Sequence, residues 1–110
     1  MKELPKEFFG IGEARGDSFK QINESPFAFI YERANEYFTA YEVFIRKETK
    51  DAVAIMDGIE VNFEAKVRYP KAEDFGVWAW YYTDYNKSVS KFNELNTKLL
   101  DDKRNKESTI

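Results

Sequence analysis

A chain of 110 residues with a net charge of −3, 34% charged residues and neither histidine nor cysteine excludes several kinds of chemistry at once. There is no disulfide framework, no thiolate, no Cys- or His-ligated zinc, no Ser-His or Cys-His nucleophile, and no imidazole to act as a base near neutral pH. Residues 1–55 carry 8 basic and 10 acidic side chains and residues 56–110 carry 9 and 10, so neither half has the basic excess that duplex DNA binding requires.

The N-terminus, Met1-Lys2-Glu3-Leu4-Pro5-Lys6-Glu7, lacks an apolar core of signal-peptide length, and no later run is long enough to span a membrane. A cytoplasmic protein with no membrane association is expected. Phe8-Phe9 is expected to dock on the body after a short turn. Gly10, Gly12 and Gly16 are spaced like a phosphate-binding loop but lack a preceding buried strand and a following helix. Gly16-Asp17 reads instead as a turn between two short strands. The same turn accounts for Arg15-Gly16-Asp17, which spells an adhesion tripeptide. Without an export signal, the glycosylation patterns at Asn23 and Asn86 carry no meaning.

Ser18 to Asn23 reads as a strand, ended by the turn Glu24-Ser25-Pro26. Phe27 to Arg33 and Tyr37 to Lys47 alternate on either side of Ala34-Asn35-Glu36, the pattern of an antiparallel hairpin. Ala52 to Met56 is short and apolar, and Asp57-Gly58 offers the positive φ angles of a two-residue hairpin turn. Val61 to Tyr69 alternates over its whole length. Val61, Phe63, Ala65, Val67 and Tyr69 are expected in the core, with Asn62, Glu64, Lys66 and Arg68 in solvent. Phe75 to Tyr82 holds the largest apolar mass and reads as the central strand, with Trp78, Trp80 and Tyr82 on one face. Tyr85, Val89, Phe92, Leu95, Leu99 and Leu100 recur at helical spacing after a cap at Thr83 or Asp84. They predict a helix over roughly Tyr85 to Lys103. The fold class is therefore α+β: an antiparallel sheet of four to six strands with one C-terminal amphipathic helix on one face. Residues 1–104 are expected to form a single domain and residues 105–110 a frayed polar tail.

The order Tyr41-Glu42-Val43-Phe44, Tyr69-Pro70, Phe75-Gly76-Val77-Trp78-Ala79-Trp80 and Phe92-Asn93 resembles small uncharacterised proteins of bacteria and their phages or mobile elements. The resemblance covers about residues 17–95. The segment Glu48 to Glu60 is longer than in that group. The resemblance implies a bacterial or phage setting and brings no function with it.

Three functional readings follow from the residues. The first is a carboxylate-based hydrolase using Glu42, Glu64 and Asp84. Surface acids are the simpler account, since a chain of this size does not readily build a deep cleft. The second is a single-stranded nucleic-acid binder that stacks bases on Trp78, Trp80 and Tyr82 beside Lys66, Arg68 and Lys71. The acidic balance opposes the phosphate contacts on which such binding depends. Arg33, Arg46 and Arg68 have the geometry to bind a carboxylate or phosphate by paired hydrogen bonds, but the simpler expectation is a polar sheet face on which they pair with Glu32, Glu42 and Glu64. The third, favoured reading is a non-enzymatic module that binds a protein partner, most simply a second copy of itself. One helix covers one face of a sheet, whereas Phe29, Tyr37, Phe38, Tyr41, Phe44, Trp78, Trp80 and Tyr81 cannot share a single face. Either loops cover the second face or another chain does. The candidate interaction surface is Trp78, Trp80, Tyr82, Lys66 and Arg68. No catalytic residue, cofactor or metal site is assigned.

Overall fold

Polar turns divide the first half of the chain into short apolar runs, and those runs pair in sequence order. A computed structural model describes residues 1–108. The strands are β1 (Glu7–Phe9), β2 (Ser18–Glu24), β3 (Ala28–Ala34), β4 (Thr39–Ile45), β5 (Ala52–Met56), β6 (Ile59–Phe63) and β7 (Ala79–Tyr82). The helix α1 spans Tyr85–Ser108. β1-β2-β3-β4-β7 form one sheet, antiparallel throughout, and β5-β6 form a separate two-stranded ribbon.

The turns are closed by their own side chains. Ser25 Oγ accepts the amides of Phe27 and Ala28 at 3.1 and 3.0 Å and also bonds Asn96 of α1, which ties the β2–β3 turn to the helix. Asn35 Oδ1 accepts the amides of Tyr37 and Phe38 at 2.7 and 3.1 Å in the β3–β4 turn. Asp84 Oδ1 accepts the Asn86 amide at 2.8 Å, the N-cap expected of an Asp in that place.

Alternation along β3 and β4 divides the core into two layers. On one side Ala28, Ile30 and Val43 meet Phe92 and Leu95 of α1, with Trp80 and Tyr82 packed alongside. On the other side Phe19, Phe29, Tyr31, Phe44 and Trp78 form a mainly aromatic layer. α1 does not reach that layer. It is roofed mainly by irregular chain carrying Leu4, Val67, Tyr69 and Phe75, and Phe8 of the edge strand β1 packs beside them. Phe8 stacks on Phe19 with centroids 4.7 Å apart, while Phe9, on the opposite side of the short β1, is 82% exposed. Only one of the two N-terminal phenylalanines docks.

Three expectations are corrected. Phe75 to Tyr82 is not the central strand. β7 begins only at Ala79 and lies at the sheet edge, paired with β4 alone, and β3 is the middle strand. The run is broken at Gly76, whose φ of +90° suits glycine and whose amide donates to the Ala79 carbonyl at 2.7 Å. Val61 to Tyr69 is not one strand. β6 ends at Phe63, and Val61 and Phe63 lie on the ribbon outside the core. Only Val67 and Tyr69 pack on the aromatic layer of the sheet, and the backbone of Val67 forms an isolated bridge to Glu48, beyond the end of β4. Alternation reports which residues share a face, and it continues unbroken where the chain leaves one sheet for another. Finally, the helix runs through residues 105–108, expected in the frayed tail, and residues 109–110 of that tail lie outside the described residues.

Phe44, with no solvent exposure, has no room to relax if truncated. Phe44→Ala is expected to lower unfolding stability by about 3–5 kcal/mol in urea titration. Phe9→Ala should stay within about 0.5 kcal/mol of the parent. Equal losses in both variants would show that the roofed aromatic layer is not the packed core described.

Candidate functional site

The five residues expected to form one surface are divided between the two sides of the sheet. Trp80 and Tyr82 lie on the helix side, where the Lys91 ammonium sits 4.1 Å from the centre of the Trp80 ring. Trp78 precedes β7, escapes its alternation and is buried in the roofed layer. Its ring lies 5.5 Å from both the Lys47 ammonium and the Arg68 guanidinium. Lys66 stands in the exposed strap beyond β6, its backbone bridged to Lys2. Arg68 and Trp78 are therefore brought together, whereas Trp80 and Tyr82 are across the sheet from them.

The three carboxylates considered for hydrolysis are also separated. Asp84 caps α1, Glu64 is exposed at the base of the ribbon and Glu42 is buried under the roof. Among the described residues no group of three acidic side chains converges as a metal site.

Glu42 anchors a polar network that sequence patterning only partly reveals. Tyr69 donates its hydroxyl to Glu42 Oε1 at 2.7 Å, and Arg33 Nη1 donates to Glu42 Oε2 at 3.2 Å. Arg33 Nε donates to Asp17 Oδ2 at 2.7 Å, and the Asn35 amide donates to Asp17 Oδ1 at 2.7 Å. Arg33 lies opposite Ala40 in the β3–β4 register and reaches Glu42 diagonally. Arg46 instead makes a two-pronged bond to Glu3 and a third to Glu48, and Arg68 pairs with Asp74. Hydrogen bonds from Asn35 and then Arg33 hold the Asp17 carboxyl below its ordinary pKa. Burial, reinforced by the Glu42 charge, pushes the Tyr69 phenol far above its ordinary value. For Arg33, burial opposes the charge, but the bonds to Asp17 and Glu42 outweigh it and raise the pKa.

The β5–β6 ribbon gathers five exposed large apolar residues, Val53, Ile55, Met56, Ile59 and Phe63. Its turn, Asp57-Gly58, has φ angles of +52° and +75°, the two-residue hairpin geometry expected from the sequence. At its base Thr49 and Asp51 pair with Lys66 and Ala65, and Lys2 bonds Ala65 and Val67. Cross-strand partners share a face, so Ala52 with Phe63, Ala54 with Val61, and Met56 with Ile59 line one side. That side is apolar throughout. Val53 and Ile55 lie opposite, beside Asn62 and Glu60. No residue of the ribbon is buried, and Ile59 is 67% exposed. The Cα radius of gyration of 16.4 Å exceeds the roughly 13 Å of a compact domain this long, as a projecting arm and a long helix require. Sequence alternation foreshadows a core-facing strand here. The missing signal was its partner: β6 has only β5 to pack with.

Comparison of the chain with protein-family models, with curated proteins and with solved structures yields no match. No helix among the described residues is long and apolar enough to cross a membrane.

The roofed network carries a pH dependence with a definite sign. Tyr69 has a higher pKa folded than unfolded, so its contribution to stability is complete below about 10 and is lost as pH rises through the folded value. Asp17 acts in the opposite sense. Its contribution is present above about 3.9 and is lost as pH falls through the lowered folded value. In an alkaline titration followed at the phenolate absorbance, the Tyr69 step should coincide with loss of the near-ultraviolet dichroism. Tyr69→Phe should remove that step. Ionisation of all 7 tyrosines with the tertiary signal intact would contradict the assignment.

Proposed function

We propose that this protein is a non-enzymatic interaction module and that its partner is a second copy of itself. The contact is made by the apolar face of the β5–β6 ribbon. The observation that carries this reading is the uncharged run Ala52, Ala54, Met56, Ile59, Val61 and Phe63 along one side of an unburied hairpin. An isolated two-stranded hairpin is at best marginally stable in water and gains stability when a third layer covers it. Contiguous exposed apolar surface on a small domain is characteristic of an interface.

A second copy fits this face for two reasons. A two-fold contact sets the same patch against itself, and with no charge on the patch no like charges meet. Both long edges of the ribbon also lack a strand neighbour, so copies can pair edge to edge as well as face to face. At about 3.3 Å per residue each five-residue strand is only about 17 Å long. The interface is therefore at the small end of specific contacts, and reversible association is expected. A cytoplasmic location is part of this proposal, and the sequence resemblance adds a bacterial or phage setting.

Sedimentation velocity across a concentration series tests it. The parent chain should pass from monomer to dimer as concentration rises through the micromolar range. Ile59→Glu, at an exposed site, should remain monomeric with unchanged circular dichroism and melting temperature. Trp80→Ala, the sensitive variant for a sheet-face interface, should instead lower stability, because Trp80 packs with the helix-side core. A parent chain that stays monomeric to millimolar concentration, or an Ile59→Glu variant that dimerises normally, would refute the proposal.

A further inference from the structure

We propose that the cleft between the β1–β2 connection and the segment from Pro70 to Phe75 binds a small organic cation, an apolar body bearing a protonated amine. The cleft has a volume of about 680 Å³, within the range of about 300–1,000 Å³ typical of small-molecule sites. Its walls are the rings of Phe8, Phe19, Tyr69 and Phe75, and Arg33 and Glu42 contribute its polar lining.

The charge of that polar end selects the ligand. Asp17 and Glu42 share the single guanidinium of Arg33, so two negative charges face one positive. Both carboxylates are buried, at 7% and 2% exposure. One negative charge is left without a partner inside the network. Glu13 and Lys71, exposed members of the lining, cancel each other. Burial of an uncompensated charge is costly, and a cation entering the cleft relieves that cost. Of the two carboxylates Glu42 lines the cleft, so an anion approaching Arg33 there meets its charge, and Asp17, outside the lining, adds to the negative balance of the network.

The hydrogen-bonding capacity agrees. A carboxylate has about four acceptor positions, and Glu42 uses two of them, one for Tyr69 and one for Arg33. The Tyr69 oxygen, having donated its proton, also retains acceptor capacity. An ammonium group carries donors for both. The rings of the walls complement the apolar body of such a ligand. The cleft thus pairs acceptors at its polar end with aromatic side chains along its sides, the arrangement suited to an amine on an apolar body.

Three probes that share a phenyl ring and carry a cationic, neutral or anionic head group separate the possibilities: benzylammonium, benzyl alcohol and benzoate, titrated at neutral pH and low salt with amide chemical shifts as the readout. Benzylammonium should cause saturable shifts around residues 42 and 69–75 and bind at least about tenfold more tightly than benzyl alcohol, a difference of about 1.4 kcal/mol. Benzoate should bind more weakly than the alcohol. Ala72→Trp, at the exposed edge of the cleft, should lose at least about tenfold in amine affinity with the melting temperature unchanged. Glu42→Gln should abolish the preference for amine over alcohol. If that variant does not fold, Ala72→Trp and the charge series decide the matter. Benzoate binding as tightly as benzylammonium, no saturable shift with benzylammonium, or full affinity in Ala72→Trp would each overturn the assignment.

Discussion

The hydrogen bond from the Tyr69 hydroxyl to the buried Glu42 carboxylate fixes how this small sheet closes its second face. One helix can cover one face of a five-stranded sheet, and here the other face is the more aromatic of the two. Tyr69 comes from irregular chain, yet its ring meets four sheet-side aromatics edge-on: Phe8, Phe19, Tyr31 and Phe44, at centroid distances of 5.4, 5.8, 5.2 and 4.8 Å. Edge-to-face pairs of this kind contribute about 0.5–1.5 kcal/mol each beyond simple burial. The hydroxyl end fixes the register of the roof. From Tyr69 the polar contacts run through Glu42, Arg33 and Asp17 to Asn35, which shapes the β3–β4 turn. Roof, sheet and turn are coupled through buried groups, and removing one partner leaves another buried charge uncompensated, typically at a cost of about 3–5 kcal/mol.

This closure explains where the apolar surplus of the sequence goes. Phe29, Tyr31 and Phe44 are sealed under residues from the first nine positions and from the strap after β6. The aromatic sheet face is an internal surface. Of the large apolar residues left exposed, Val53, Ile55, Met56, Ile59 and Phe63 are gathered on the ribbon, and others, such as Phe9, Ile11, Tyr37 and Val77, lie elsewhere on the surface. The arm, built largely from Val, Ile, Met and a single Phe with an acidic residue at its turn, packs against neither core layer among the described residues. The same strap residues that roof the sheet, 65–69, form one leg of the arm's base. The arm is therefore anchored by the roof, although none of its own residues contributes to the core.

Local signals in the sequence were sufficient for the elements whose partners are adjacent in the chain. The β3–β4 hairpin, the Asp57-Gly58 turn, the Asp84 cap and the stripe on α1 each depend on residues within a few positions of one another. The division of the aromatics was not legible, because it turns on long-range facts. Trp78 changes sides at a break set by Gly76, three residues before β7. Val67 and Tyr69 continue the alternation of Val61 and Phe63, yet the first pair packs on the main sheet and the second on none. Glu42 looked like one of several strand carboxylates. Its burial follows from Tyr69, which is 27 positions away.

The proposed self-association puts the ribbon face, rather than the aromatic sheet face, at the contact with a second copy. Because the sequence has no cysteine, a single introduced thiol reports on this directly. Ile59→Cys places one on the ribbon face and Thr97→Cys places one on the exposed side of α1. Under mild oxidation at micromolar protein, Ile59→Cys is predicted to form a disulfide-linked dimer rapidly and nearly completely, and Thr97→Cys slowly and in small yield. Equal rates in the two variants would contradict the account.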